Sequence, residues 1–117
     1  MSPKEASYNL RIALFLGFNA VDAYLGTVAD QFEVRFKQTN ARIDLRIEYL
    51  FRKLSTEPLD QTSSYWQEFK LALELRDQLQ HLSTRSRVDV GAIERALGSI
   101  RRLLNALNNG IYRSNWA

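Results

Sequence analysis

The sequence contains no cysteine and a single histidine, which excludes several kinds of functional site. Without cysteine the chain has no disulfide, no thiol nucleophile and no cysteine-ligated zinc or iron–sulfur centre. One histidine does not build a histidine-rich metal site. We therefore expect no metal and no cofactor, and the missing cysteine favours an intracellular, cytoplasmic protein.

Glycine and proline are also scarce, with 5 and 2 residues in a chain of 117. Hydrophobic residues make up 45% and charged residues 25%, which is the composition of a globular protein and excludes disorder and collagen-like repeats. The length suits one domain with one core. We expect residues 1–117 to form a single domain.

Long hydrophobic runs are missing too. The longest unbroken apolar run, Ile12–Phe18, is far shorter than the roughly 20 residues that span a bilayer. We therefore expect no membrane-spanning helix and no membrane partner. A cleaved leader is the alternative, because Lys4 precedes the run, but Ser2-Pro3-Lys4-Glu5 is typical of a helix start with a capping box.

The net charge of +3 is unevenly distributed. Residues 1–75 carry a net charge of −1, and residues 76–117 carry +4. All the basic residues of this last part are arginine, whose planar guanidinium matches phosphate oxygens. A solvated helix face and a nucleic-acid surface both fit this distribution.

Hydrophobic residues in the first third recur at alternating steps of four and three, which predicts one long helix from Pro3. The residues of this stripe are Leu10, Leu14, Phe18, Val21, Leu25, Val28 and Phe32. Further apolar residues lie outside the stripe: Ile12, Phe15, Leu16 and Ala20. The helix should therefore be covered on more than one side, in a bundle or at a subunit contact.

Residues 32–54 fit two structures. Phe32–Phe36 and Ile43–Tyr49 both alternate apolar and charged residues, as a β-hairpin would. Residues 43–54 also show helical spacing, with Asn40 as a possible cap and Glu48–Arg52 as an i,i+4 pair. The residues alone favour the helix only slightly.

Two further helices follow a loop over residues 55–63. A capping box at Ser64–Gln67 predicts a third helix to about Leu82. A basic connector, 83–87, leads to a fourth helix that Ser86–Asp89 would open and that the Asn108-Asn109-Gly110 segment would end. The expected architecture is all-α, with four main helices.

Near the end of the third helix, three polar residues form the strongest candidate site. Asp77 and His81 are four residues apart, so the carboxylate can orient or charge the imidazole. Arg76 lies five residues before His81, rotated from it by about 140° on an ideal helix. A surface cluster without function would have the same spacing.

In these residues the chain resembles the HEPN family. Members of this family are small all-helical domains found in many toxins and RNA-cutting defence proteins. The resemblance spans roughly residues 10–112, and its strongest part runs from Tyr65 to His81, followed by a helix over Val88–Tyr112. HEPN domains carry Arg, four to six residues and then His, with a polar residue directly after the Arg. Arg76, Asp77 and His81 match that pattern, and the resemblance favours helix over 40–54.

One feature of an antitoxin-paired branch of the family is missing. That branch places Tyr two residues after the His as a nucleotide-modification site, whereas Leu82 and Ser83 stand here. We therefore do not expect that regulation.

The resemblance implies metal-independent RNA cleavage by the RNA's own 2′-hydroxyl. In that interpretation His81 supplies acid and base from the two copies of a symmetric dimer, Arg76 binds the phosphate and Asp77 fixes the imidazole tautomer. Arg85 and Arg87 would bind RNA, and an antitoxin protein is a possible partner. The alternatives are a non-catalytic relative that binds RNA, a nucleotide or a protein, and a purely structural dimerisation bundle.

Overall fold

The computed structural model describes residues 2–36, 42–56, 58–81 and 89–116. These ranges contain four helices, α1 (Pro3–Gln31), α2 (Ile43–Leu54), α3 (Ser64–His81) and α4 (Val90–Trp116), and no strand. The predicted all-α bundle of four main helices is therefore confirmed.

The hydrophobic stripe of α1 faces the core as predicted. Leu14, Val21, Leu25 and Val28 are fully buried, and Phe18 is 2% exposed. The helix starts as the capping box predicts, with the Glu5 amide donating to Ser2 Oγ at 3.2 Å. One sequence period thus determined both the extent and the buried face of this helix.

By length and composition α1 could also cross a membrane. Its segment Glu5–Gln31 has a mean hydropathy of 1.5 in an 18-residue window, of which 33% is buried. We did not expect this from the sequence, because an unbroken apolar run ends at the first polar residue, such as Asn19. The mean hydropathy of an 18-residue window includes such residues and can still be high. A core helix of a soluble protein or a signal sequence passes the same test.

The chain leaves α1 through a left-handed residue. Glu33 has φ 57°, its amide donates to Asp30 O, and the Val34 amide donates to Ala29 O at 2.8 Å. This pair of bonds is a Schellman motif, in which glycine usually takes the place of Glu33. It ends the helix before residue 34 and turns the chain toward α2.

The ambiguous segment is helical over Ile43–Leu54, and the hairpin interpretation is wrong, because residues 32–36 form a turn and an irregular stretch instead of a strand. Ile47 and Leu50 are fully buried, which is the face that helical spacing selects. The cap is Arg42 rather than Asn40, which lies outside the described residues. The Glu48 carboxylate accepts a hydrogen bond from the Gln61 side-chain amide at 3.3 Å.

The turn before α3 differs from the predicted capping box. Ser64 is the first helical residue, and the turn is held by Asp60, whose carboxylate accepts from the amide and hydroxyl of Thr62. The Gln67 side chain reaches out of the helix to the Gln61 carbonyl. The position of the helix start was thus predicted correctly, but the hydrogen bonds that hold it differ from those of a capping box.

Helix α4 starts later and runs further than the sequence predicts. The Asp89 carboxylate accepts from the Gly91 amide at 2.9 Å and caps the helix, whereas Ser86 lies outside the described residues. The Asn108-Asn109-Gly110 segment does not end the helix, because burial of Ile111 in the core outweighs the weak helix propensity of these residues. Gly110 instead leaves room for the ring of Phe51.

Helices α1 and α4 run parallel, and α3 runs antiparallel to both. The Tyr24 hydroxyl donates to Asn108 at 3.2 Å, and further along both helices the Tyr112 hydroxyl donates to Gln31 at 2.6 Å. Phe18 of α1 packs on Phe69 of α3, with ring centroids 5.7 Å apart. The C-terminal end of α3 therefore lies beside the N-terminal half of α1 and the first turns of α4.

Candidate functional site

The candidate site is centred on Arg76, in the C-terminal part of α3. Its guanidinium carbon lies 4.9 Å from the ring centroid of Phe18 on α1. Arg76 Nη2 is 3.1 Å from Asp77 Oδ1, and Nε is 3.4 Å from the same oxygen. The Arg76 side chain is 22% exposed and that of Asp77 is 47% exposed.

These contacts fix the guanidinium rather than leaving it free. A cation over an aromatic face is stabilised by about 0.5–2 kcal/mol, more when it is partly desolvated. The neighbouring carboxylate compensates part of the positive charge, although at this exposure solvent screens the pair. The guanidinium has five donors, so a held Arg76 retains capacity for a further anion.

The structure brings Arg76 and Asp77 together, which the sequence analysis did not predict. We expected Asp77 to orient His81, whereas one of its oxygens accepts from Arg76. The other oxygen, Oδ2, is a separate acceptor. His81 is the last residue of α3, and its side chain lies outside the described part of the structure.

The predicted RNA-binding residues Arg85 and Arg87 lie outside the described residues. Two other arginines of the last third are paired with acidic side chains. Arg95 Nη2 is 3.7 Å from Asp89 Oδ2, and Arg102 bonds Glu68 on α3. The positive surplus seen in the sequence is therefore partly compensated along α3 and α4.

A shallow groove of about 250 Å³ lies between α3 and α4 on the side of these ion pairs. Its floor is formed by small side chains, and Leu71 beside it is 63% exposed. The lining residues are Glu68, Leu71, Ala72, Leu75, Ala92, Arg95 and Ala96. Within the described ranges, no group of three or more His, Cys, Asp or Glu residues is placed to hold a metal ion.

The aromatic residues near α3 belong mainly to the core. Trp66 is 1% exposed and stacks on Phe69 with centroids 5.9 Å apart, so it does not present a face to a base. Tyr65 is partly buried against the core, and Tyr112 packs edge-on against Phe32. These contacts place the three aromatic side chains in the packing of the bundle.

Two features of α1 were not predicted from the sequence. Phe18 was assigned to the core stripe, and nothing in the sequence indicates that it also supports Arg76. Arg11 is 7% exposed, although it is charged. Its signal was available, because Arg11 lies three residues before Leu14 and therefore in register with the buried stripe.

Comparisons with models of protein families, with curated proteins and with solved structures found no match for this chain.

Proposed function

We propose that this protein is a metal-independent endoribonuclease of the toxin or defence type. The observation that supports it best is the half-buried Arg76 held against Phe18 in an all-α bundle, five residues before the histidine that ends α3. A guanidinium in a fixed orientation suits the nonbridging oxygens of a phosphodiester.

The proposed chemistry is an internal transfer. The RNA 2′-oxygen attacks the adjacent phosphorus, the bond to the 5′-oxygen breaks, and the products end in a 2′,3′-cyclic phosphate and a 5′-hydroxyl. One imidazole takes the 2′-hydroxyl proton and a second, protonated imidazole gives a proton to the leaving oxygen. Arg76 stabilises the charge that develops on the phosphate.

Two protonation states at one time require two histidines, and the chain has one. A symmetric dimer supplies the second His81 and a second Arg76. The proposed active site is therefore composite, with RNA bound between two subunits.

A non-catalytic binding module is the second candidate, and one observation favours it. The carboxylate of Asp77 accepts from Arg76, so part of the cation's charge is already compensated. Such a site would hold RNA, a nucleotide or a protein without cutting it.

The experiment that separates these candidates compares variants on single-stranded RNA in the presence of EDTA. We expect His81→Ala and Arg76→Ala each to lower the cleavage rate about 10²–10⁴-fold, because each removes a group acting in the transition state. Asp77→Asn should lower it less. Arg113→Ala changes an exposed arginine in the last turn of α4, beside the C-terminal end of α1 and far from Phe18, and should leave the rate unchanged.

Bound but uncut RNA with the wild-type protein would decide for the binding module. Cleavage that persists in His81→Ala would show that the site lies elsewhere.

A further inference from the structure

Helix α2 carries a basic stripe that the net charge of the first two thirds of the chain conceals. Residues 32–54 contain six basic and three acidic side chains, a net charge of +3, although residues 1–75 together carry −1. Arg42, Arg46, Tyr49 and Lys53 follow each other at steps of four, three and four. These spacings place the four side chains on one face of the helix, over about 16 Å.

Two aromatic rings hold the cations of this stripe. The ring centroids of Phe36 and Tyr49 are 5.9 Å apart, and Arg46 Cζ is 6.0 Å from the Phe36 centroid. Arg52 Cζ and Lys53 Nζ are 5.8 and 5.7 Å from the Tyr49 centroid. A cation at about 6 Å from a ring centroid is attracted by the ring. These long side chains are therefore already partly ordered, which lowers the entropy cost of binding an anion. We call these five residues the α2 surface.

The positive charge of the α2 surface is compensated only in part. Arg46 bonds Asp22 of α1, and its side chain is 16% exposed. Arg52 and Lys53 are both exposed, and within the described part of the chain no ion pair involves either of them. Because these two cations converge on one ring, they repel each other. An anion bound to both relieves that repulsion.

The α2 surface begins close to the candidate site, as their contacts with α1 show. Arg76 packs on Phe18, and Arg46 bonds Asp22, four residues further along the same side of α1. Four residues are about one helical turn, or about 5 Å along the axis. A strand bound at Arg76 therefore reaches the α2 surface by crossing one turn of α1.

We infer that the α2 surface binds the phosphates of single-stranded RNA outside the cut site, with Arg52 and Lys53 as the contacting cations. That the strand is RNA rests on the proposed function. Guanidinium groups match phosphate oxygens, and proteins that bind single strands combine such cations with aromatic side chains. A membrane surface fits less well, because a helix that binds lipid inserts its apolar face, whereas α2 buries Ile47 and Leu50 in the bundle core.

Binding at two salt concentrations tests the inference. The probe is a fluorescently labelled single strand of 2′-O-methyl RNA, which lacks the nucleophilic hydroxyl and stays uncut, and the readout is anisotropy with the full chain. A log–log slope of about −0.7 for each phosphate contact corresponds to about fivefold in affinity between 1 M and 0.1 M salt. At 0.1 M we therefore expect Arg52→Gln to bind about fivefold more weakly than the wild-type protein. The double variant Arg52→Gln, Lys53→Gln should bind about 25-fold more weakly, and both differences should vanish at 1 M.

The matched control is Arg113→Gln, because Arg113 and Arg52 are both exposed arginines in the last turn of a helix. It should bind the strand as tightly as the wild-type protein. An equal loss from Arg113→Gln would show an effect of net charge alone and overturn the inference. A double variant that binds RNA as tightly as the wild-type protein would also overturn it, and loss of binding to phosphatidylserine vesicles in that variant would assign the surface to membranes.

The same measurements separate the α2 surface from the proposed function. Weaker binding by the double variant, with no RNA cleaved by the wild-type protein, would support the surface and remove only the ribonuclease. Cleavage by the wild-type protein, with unchanged binding by the double variant, would overturn the surface and leave the ribonuclease in place.

Discussion

At the scale of single residues, two glycines on the long helices have opposite surroundings. A Cβ at Gly110 would lie 2.7 Å from Cε2 of the buried Phe51 ring, whereas a Cβ at Gly26 would meet nothing within 4 Å. We expect Gly110→Ala to lower the free energy of unfolding by about 1–3 kcal/mol through overpacking. Gly26→Ala should raise it by about 0.4–1 kcal/mol, because alanine restricts the unfolded chain.

Urea unfolding of both variants checks this pair of opposite shifts. If Gly110→Ala were as stable as the wild-type protein, the close approach of α2 to α4 would be wrong.

Glu33 offers a second residue-scale prediction, because it is a non-glycine residue with φ 57°. The left-handed conformation costs an L-residue about 1–2 kcal/mol, and glycine adopts it freely. Glycine also loses more conformational entropy on folding, which offsets part of this gain. Glu33→Gly should therefore stabilise the protein by about 0.5–1 kcal/mol. Thermal unfolding measures the shift, and Glu33→Gln separates it from removal of an acidic side chain at a helix C-terminus.

At the scale of elements, the start of α3 depends on one carboxylate. The hydroxyl and amide of Thr62 donate to Asp60 and hold the pKa of that carboxyl below its usual value. Because the folded-state pKa is depressed, the stabilisation is fully present above pH ~4 and is lost as the pH falls through the folded pKa. Asp60→Asn should therefore lower the melting temperature at pH 7 but not at pH 2.

Melting temperatures of both proteins between pH 2 and pH 7 test this dependence. A constant difference across that range would mean that the charge of Asp60 does not stabilise the turn.

The elements differ in how far the sequence predicts them. The α1 stripe follows one period over many turns, so the helix and its buried face were both predictable. For α2, periods of 2 and 3.6 fit the same residues, and only packing of Ile47 and Leu50 into the bundle decides between them. The predicted end of α4 at Asn108-Asn109-Gly110 is wrong, because burial of Ile111 in the core outweighs the low helix propensity of these residues.

At the scale of the whole molecule, the candidate site was only partly predictable. Spacing identified Arg76, Asp77 and His81 on one helix, but the contact of Arg76 with Phe18 depends on how α3 crosses α1. The pairing of Asp77 with Arg76 likewise depends on side-chain geometry that spacing does not specify.

Salt dependence tests whether the arginine-rich last third binds RNA. Single-strand binding loses affinity with a log–log slope of about −0.7 for each phosphate contacted. Replacing both Arg85 and Arg87 by Glu should make that slope shallower by about 1.4 if each contacts one phosphate. Affinities measured by fluorescence anisotropy between 50 and 300 mM salt give the slope, and an affinity independent of salt would exclude phosphate binding.

In the proposed reaction the 2′-hydroxyl of RNA is the nucleophile and no metal takes part. It is tested most directly with a short RNA and a matched RNA that carries a single 2′-deoxy sugar at the cut site, both incubated with the wild-type protein in EDTA. We expect cleavage of the first to a 2′,3′-cyclic phosphate and a 5′-hydroxyl, and no cleavage of the second at that position. Cleavage at the deoxy position, or products with a 5′-phosphate, would contradict it.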